Sequence, residues 1–201
     1  IPILEESGLI IPVGKWIIQN AFSMCTECRK YYPEFRVSIN LSYVQILKSP
    51  LMMELKQMIE HSGISCSGII VELTESGYLE GTPAVRSVWN DMKQLRIQIA
   101  LDDFGTGYSN LMNISNLEPD IVKLDRGFTL KALSRSYEYQ LMQYVIEMVH
   151  KLNQYVCVEG VETKEDLEKI KALGPDLIQG YYYSKPCSRD EFLKKFFGYS
   201  E

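Results

Sequence analysis

Long apolar runs are missing from this sequence. No stretch of its 201 residues approaches the ~18 uncharged apolar residues of a membrane-spanning helix. Glycine and proline are scarce, at 13 and 8, which excludes collagen-like and low-complexity chains. Histidine is nearly absent: only His61 and His150 occur, and neither falls in a motif described below, so histidine-based triads find no support. A positive excess is missing too. The 21 Lys and Arg against 26 Asp and Glu leave a net charge of −5. That is a poor footing on a nucleic-acid polymer. It leaves room for a small phosphorylated ligand, because a metal ion can cancel clustered carboxylates and then attract phosphate. No charged segment followed by a short apolar core opens the chain, so no signal peptide is expected. Neither G-x-G-x-x-G nor G-x-x-x-x-G-K-[ST] occurs.

Cysteines are odd in number and scattered: Cys25, Cys28, Cys66, Cys157 and Cys187. That pattern argues against a disulfide framework and for a reducing compartment. Cys25-Thr-Glu-Cys28 has C-x-x-C spacing, but no second pair follows. It lies in a helical pattern with Trp16, Ile17, Ala21, Met24 and Cys28 on one face, and is read as a structural helix, not a zinc or redox site.

What is present is alternation. Short β-rich runs cover 36–40, 68–73, 97–102, 120–125, 155–159 and 176–179. Helical stretches lie near 50–61, 83–95, 134–152, 164–173 and 189–197, with a Gly-rich loop and a short helix after Asp102. Thr163 and Ser188 precede acidic first turns, as N-caps do, and Gly174-Pro175 is a stop signal. Strands alternating with helices predict βαβ units and a parallel sheet in a single domain, with no linker. The strand count suits an open doubly wound sheet, since a (β/α)₈ barrel usually needs ~250 residues. The strand ends favour the barrel.

Every predicted strand ends in a group able to bind metal or phosphate: Asn40, Glu72, Asp102 with Asp103, Lys123 with Asp125, Glu159 and Gln179. In a parallel barrel all strand C-termini share one face, where active sites lie. Such carboxylates cannot all stay ionised together without a cation. Oxygen-only ligands suit Mg²⁺, Mn²⁺ or Ca²⁺. Adjacent Asp102 and Asp103 can serve two ions, the arrangement that activates water for phosphoryl displacement. The competing reading of an acid at a strand's end is the N-cap of the next helix, and it applies to Asp125, Glu75 and Glu162. Lys123 sits in an otherwise apolar strand, where an unpaired ammonium is costly, so it is expected to pair with the carboxylates or act in catalysis.

The segments Ser38-Ile-Asn40-Leu-Ser, Glu72-Leu-Thr-Glu75-Ser, Leu101-Asp-Asp-Phe-Gly-Thr-Gly-Tyr-Ser109, Lys123-Leu-Asp125-Arg, Val158-Glu-Gly-Val-Glu-Thr163 and Gln179-Gly-Tyr-Tyr-Tyr-Ser-Lys-Pro186 resemble the ordered motifs of the EAL domain family, bacterial phosphodiesterases specific for cyclic di-GMP. The resemblance covers the whole chain. It implies a TIM-like α/β barrel with one antiparallel strand. It also implies hydrolysis of one phosphodiester of cyclic di-GMP to linear pGpG with Mg²⁺ or Mn²⁺, Ca²⁺ being inhibitory. Asn40, Glu72 and Asp102 match ligands of a first metal, and Asp102, Asp103 and Glu159 those of a second. Lys123 matches the lysine at the attacking water, with Glu159 beside it as a catalytic residue. Gln179 and Asp125 match substrate-side groups. Glu75 matches the anchor of the Gly-rich loop after Asp103, through which a homodimer is implied. A cytoplasmic bacterial location, alone or as the cytoplasmic part of a membrane-anchored protein, and an attached sensory or GGDEF domain are implied as well.

The Glu-Ala-Leu tripeptide that names the family occurs nowhere in the 201 residues, which reads as a domain without its first strands and inactive by itself. Pro175 stands where the family usually has Cys, with no functional effect expected. The rival function is a non-catalytic cyclic di-GMP receptor acting through a partner. The intact acidic residues favour the enzyme.

Overall fold

A computed structural model describes residues 1–74, 82–106 and 118–198. The described residues fall into two compact units: residues 1–73, 82–99 and 188–198, and residues 74, 100–106 and 118–187.

The first unit contains helices α1 (Pro2–Glu6), α2 (Ile10–Cys28), α3 (Tyr43–Lys48), α4 (Leu51–Ser62) and α5 (Pro83–Gln94). With them come strand β1 (Val37–Asn40), nearly all of β2 (Ile69–Thr74), and the last helix, α9 (Arg189–Phe197). β1 and β2 pair in parallel, with Asn40 opposite Glu72. The local starts are chemically legible. Ser42 and Gln45 form a capping box on α3, and the Thr82 hydroxyl accepts from Val85 N–H ahead of Pro83 in α5. α2 buries Ile18, Phe22, Cys25 and Cys28. The expected face through Trp16 and Ile17 is corrected: Trp16 is 64% exposed and Ile17 41%. Apolar residues surround α2 on several sides, so packing decides its rotation. Gly14 marks the contact face, because a Cβ there would run into the buried amide of Gln45. α9 docks through Phe192 and Phe197, which meet Phe35, and through the Arg189–Glu27 ion pair.

The second unit holds β3 (Gln98–Phe104) from Ala100 onward, β4 (Ile121–Leu124), α6 (Arg126–Ser134), α7 (Ser136–Lys151), β5 (Tyr155–Glu159), α8 (Lys164–Lys171) and β6 (Leu177–Gln179). β3–β4, β4–β5 and β5–β6 pair in parallel. All four described pairings in the chain are parallel, and the antiparallel strand of the family pattern is not among them. Alternate residues of a strand face opposite sides, so pairing sorts them. Leu101, Val122, Leu124, Val156 and Val158 form one fully buried face. Ala100, Ile121, Lys123, Cys157, Glu159 and Gln179 share the other by register.

The five helices and six strands expected from the sequence stand close to their predicted bounds. Two differences have local causes. The stretch near 134–152 begins at Ser136, because Arg135 is extended (φ −139°, ψ 131°) and separates α6 from α7. α6 itself is not among the expected helices, although the N-cap reading of Asp125, held open beside the chemical one, points to its start. The Gly-rich loop and short helix after Asp102 lie largely outside the described residues.

Candidate active site

The centre of the second unit's polar face is Lys123. Its side chain is 6% exposed, in the middle of an apolar strand. Nζ lies 2.6 Å from Glu159 Oε1 and 2.9 Å from Asp102 Oδ1. Burial makes an ammonium costly unless it is paired, and here two carboxylates pair it. The Asp102 contact is one of charge only. Oδ1 is fully buried and accepts no hydrogen bond from the described residues, with the ammonium as its charge partner.

A break in β3 builds this arrangement. Leu101 pairs with Val122 and Phe104 with Leu124, so three steps along β3 match two along β4. That is a β-bulge at Asp102–Asp103, a device that re-aims side chains. Asp103 takes the strain with φ +60°, left-handed for a residue that is not glycine. Its neighbours show the outcome: Asp102 is buried and Asp103 exposed. Pairing resumes directly, as Asp125 N–H donates to Phe104 O at 3.0 Å. Gly105 follows at φ +104°, where a Cβ would press on the Phe128 ring.

Glu159 and Gln179 stand opposite each other at the ends of β5 and β6. Val161 N–H donates to Gln179 O at 3.3 Å, and Tyr182 N–H to Val161 O at 3.0 Å, tying the two strand exits together. Gly180 is required there, since any Cβ would collide with the Val161 backbone. Asp125 does cap a helix: its Oδ1 accepts from Gly127 N–H at 2.7 Å and Phe128 N–H at 3.3 Å.

In the first unit, Glu72 is 6% exposed and Asn40 is exposed beside it in register. The Ser38 hydroxyl donates to Glu72 Oε1. Sequence reasoning did not assign Ser38, although its two-residue spacing from Asn40 puts both on one face. Glu75 lies outside the described residues. The Cys25–Cys28 pair is chemically quiet. Both thiols are fully buried, and burial raises both pKa values, that of Cys28 to about 11. Cys25 Sγ instead donates to Gly68 O and Phe35 O at 3.6 and 3.7 Å.

Among the described residues no three His, Cys, Asp or Glu side chains gather closely enough to hold a metal ion by themselves. The second unit still suits a hard cation: its donors are oxygens, and Asp102 Oδ1 has unused lone pairs in a buried setting.

The family profile described as "EAL domain" matches residues 1–186. The cyclic di-GMP phosphodiesterase PdeR of Escherichia coli K12 is 33% identical over 182 residues, 90% of this chain and 28% of that protein. PdeF, a cyclic di-GMP phosphodiesterase of the same organism, is 31% identical over 186 residues, 92% of this chain and 25% of that protein. The chain thus spans about a quarter of the length of these curated relatives. The EAL enzyme Bd1971, solved with cAMP and cyclic di-GMP bound, superposes with a TM-score of 0.91 at 30% identity, over 96% of this chain and 54% of that one. The fold is therefore the partial TIM-like α/β fold expected from the sequence. With a profile match running from residue 1 to residue 186, the chain belongs to the EAL domain family.

Proposed function

We propose that the whole protein, through this domain, carries out metal-dependent hydrolysis of one phosphodiester bond of cyclic di-GMP, giving linear pGpG, in bacterial second-messenger signalling. The observation that carries the reading is Lys123, buried in an apolar strand and held between Asp102 and Glu159 beside the β3 bulge. An ammonium placed there can orient a water and offset the negative charge that develops on phosphoryl oxygens. Glu159 can share the proton that Lys123 handles, since the two are already in contact. Asp125, with one oxygen engaged at the α6 N-terminus, and Gln179 are assigned to the substrate.

Mg²⁺ or Mn²⁺ is the proposed cofactor, with Ca²⁺ inhibitory. When bound, it supplies Lewis-acid stabilisation and lowers the pKa of water. Asn40, Glu72, Asp102, Asp103 and Glu159 are the residues that would hold it, and the Ser38 hydroxyl would fix the Glu72 carboxylate. Glu75 is kept as the loop anchor, and a homodimer through the loop after Asp103, an attached sensory or GGDEF domain and a cytoplasmic setting belong to the same proposal. Among the described residues no helix is long and apolar enough to cross a membrane. Because the 201 residues contain no Glu-Ala-Leu, we take them to be inactive alone.

The test is product analysis of the whole protein with cyclic di-GMP. The expected result is pGpG with Mg²⁺ or Mn²⁺ and none after chelation. Tight binding without any pGpG would make the protein a receptor, and no binding would remove the reading altogether.

A further inference from the structure

Helix α1 has little apolar hold on the first unit. It buries no residue fully, and Ile1 and Ile3 are 74% and 79% exposed. One polar contact is specific. Ser42, 37 residues from Glu5 in sequence, donates its hydroxyl proton to Glu5 Oε1 at 2.7 Å. Ser42 is the second residue after Asn40, at the exit of β1. Between them, Leu41 N–H donates to Glu72 O at 3.0 Å. The bond to Glu5 therefore starts from the turn that carries the chain out of the ladder, directly after Asn40 and beside Glu72.

Capping α3 does not account for this bond. Ser42 Oγ accepts from Val44 N–H at 3.2 Å, and Ser42 N–H donates to Gln45 Oε1 at 3.1 Å. Gln45 is itself buried, against Gly14 of α2. The cap uses lone pairs of the hydroxyl and leaves over its proton, which water ordinarily takes. The exit of β4 shows the alternative. There the cap is the Asp125 carboxylate, which serves Gly127 and Phe128 N–H and has no proton to give. A hydroxyl can cap a helix and hold a carboxylate at once. With Glu5 on one side and Gln45 on the other, Ser42 is fixed in side chain and backbone, and so is the turn that leaves Asn40.

We propose that Glu5 is a positioning residue for the metal site: through Ser42 it holds the β1 exit so that Asn40 keeps its place opposite Glu72 for the cation. This rests on the assignment of Asn40 and Glu72 as ligands of Mg²⁺ or Mn²⁺. The need for such a hold is physical. The Asn40 side chain is exposed, and a neutral amide on a mobile turn loses freedom when it binds, whereas one on a fixed turn has less to lose. Glu72 is held separately, by burial and by the Ser38 hydroxyl. Glu5 and Ser42 act on the site from behind its ligands, as partners that orient metal ligands do.

The experiment is Mn²⁺ titration of the whole protein without nucleotide, well below the melting transition, with free Mn²⁺ read by electron paramagnetic resonance. The kcat for cyclic di-GMP at saturating Mn²⁺ and the melting temperature are measured alongside. Glu5→Ala should weaken Mn²⁺ binding about tenfold, with kcat at saturating Mn²⁺ changed by less than about threefold. Glu5→Gln keeps an acceptor for the Ser42 proton and should restore most of the affinity. Ser42→Asp keeps a cap for α3 but has no proton to give and repels Glu5, so it should weaken Mn²⁺ as Glu5→Ala does. Unchanged Mn²⁺ affinity in Glu5→Ala would overturn the proposal, and a lower melting temperature beside it would make Glu5 a residue of the fold. Wild-type affinity in Ser42→Asp would overturn it too. Wild-type protein that binds no Mn²⁺ would instead overturn the metal assignment itself, before any variant is made.

Discussion

Two short segments carry patterns associated with chemistry, and the structure treats them in opposite ways. Cys25-Thr-Glu-Cys28 has the spacing of a metal or redox motif, yet both sulfurs are sealed inside the first unit by the buried face of α2. Asp102-Asp103 is only a doubled acid, yet the second unit breaks its ladder and places a left-handed residue there. At the thiols burial outweighs the nearby Arg29 and Arg189 charges, raises the pKa values and keeps those groups inert. Burial with a charge partner is expensive to build and persists where the surrounding fold fixes it. Spacing alone does not separate the two cases. The charge set around each group does.

The largest effect expected from that contrast is on Asp102. Asp102→Asn removes a carboxylate from the buried trio and should lower phosphodiesterase activity about 10²–10³-fold or more. Cys25→Ala and Cys28→Ala should leave kcat unchanged in folded protein. Steady-state assay of pGpG release by the three variants checks both halves. Wild-type turnover in Asp102→Asn would break the comparison.

A smaller test separates strain from function at the bulge. Asp103→Gly relieves a positive φ and should keep stability within about 1 kcal/mol, the usual scale of a glycine exchange. Activity should still fall at least about tenfold, because the carboxylate is gone. Denaturant unfolding and an activity assay on the same sample decide. Loss of stability with activity intact would make Asp103 a structural residue.

The smallest effect concerns Cys28. Its folded pKa is about 11 against an ordinary 9.0, so the neutral thiol is favoured in the folded state. Below pH 9 folded and unfolded chains are both protonated and stability is complete. As pH rises from 9 towards 11 the unfolded chain loses its proton first, and stability falls. Cys28→Ala should flatten that slope in a urea-melt series. Rapid alkylation of Cys28 in folded protein at pH 8 would contradict the sealed reading.

What the sequence revealed depended on whether the deciding interaction was local. Thr163 and Ser188 start their helices through hydroxyls three residues from the amides they cap, so those starts could be read directly. Lys123 was legible because one cation in Ile-Val-Lys-Leu needs a partner wherever the strand goes. The rotation of α2 was not, since Trp16 and Ile17 are as apolar as Ile18 and Phe22, and contact with Gln45 at Gly14 marks which side turns inward. The bulge was not legible either, because its register is set jointly with β4. The grip of Glu162 on Arg126 joins residues 36 apart and leaves no trace in either local motif.

The central claim is that Lys123 acts on the reaction and not merely on the fold. The direct measurement is Lys123→Ala in the whole protein, with kcat for cyclic di-GMP hydrolysis, Kd for cyclic di-GMP in Ca²⁺, and the melting temperature taken together. The account predicts kcat lower by about 10²–10³-fold with Kd changed by less than about threefold, the signature of an interaction made in the transition state. Activity that falls only in proportion to the folded fraction, or Kd that rises as far as kcat falls, would contradict it.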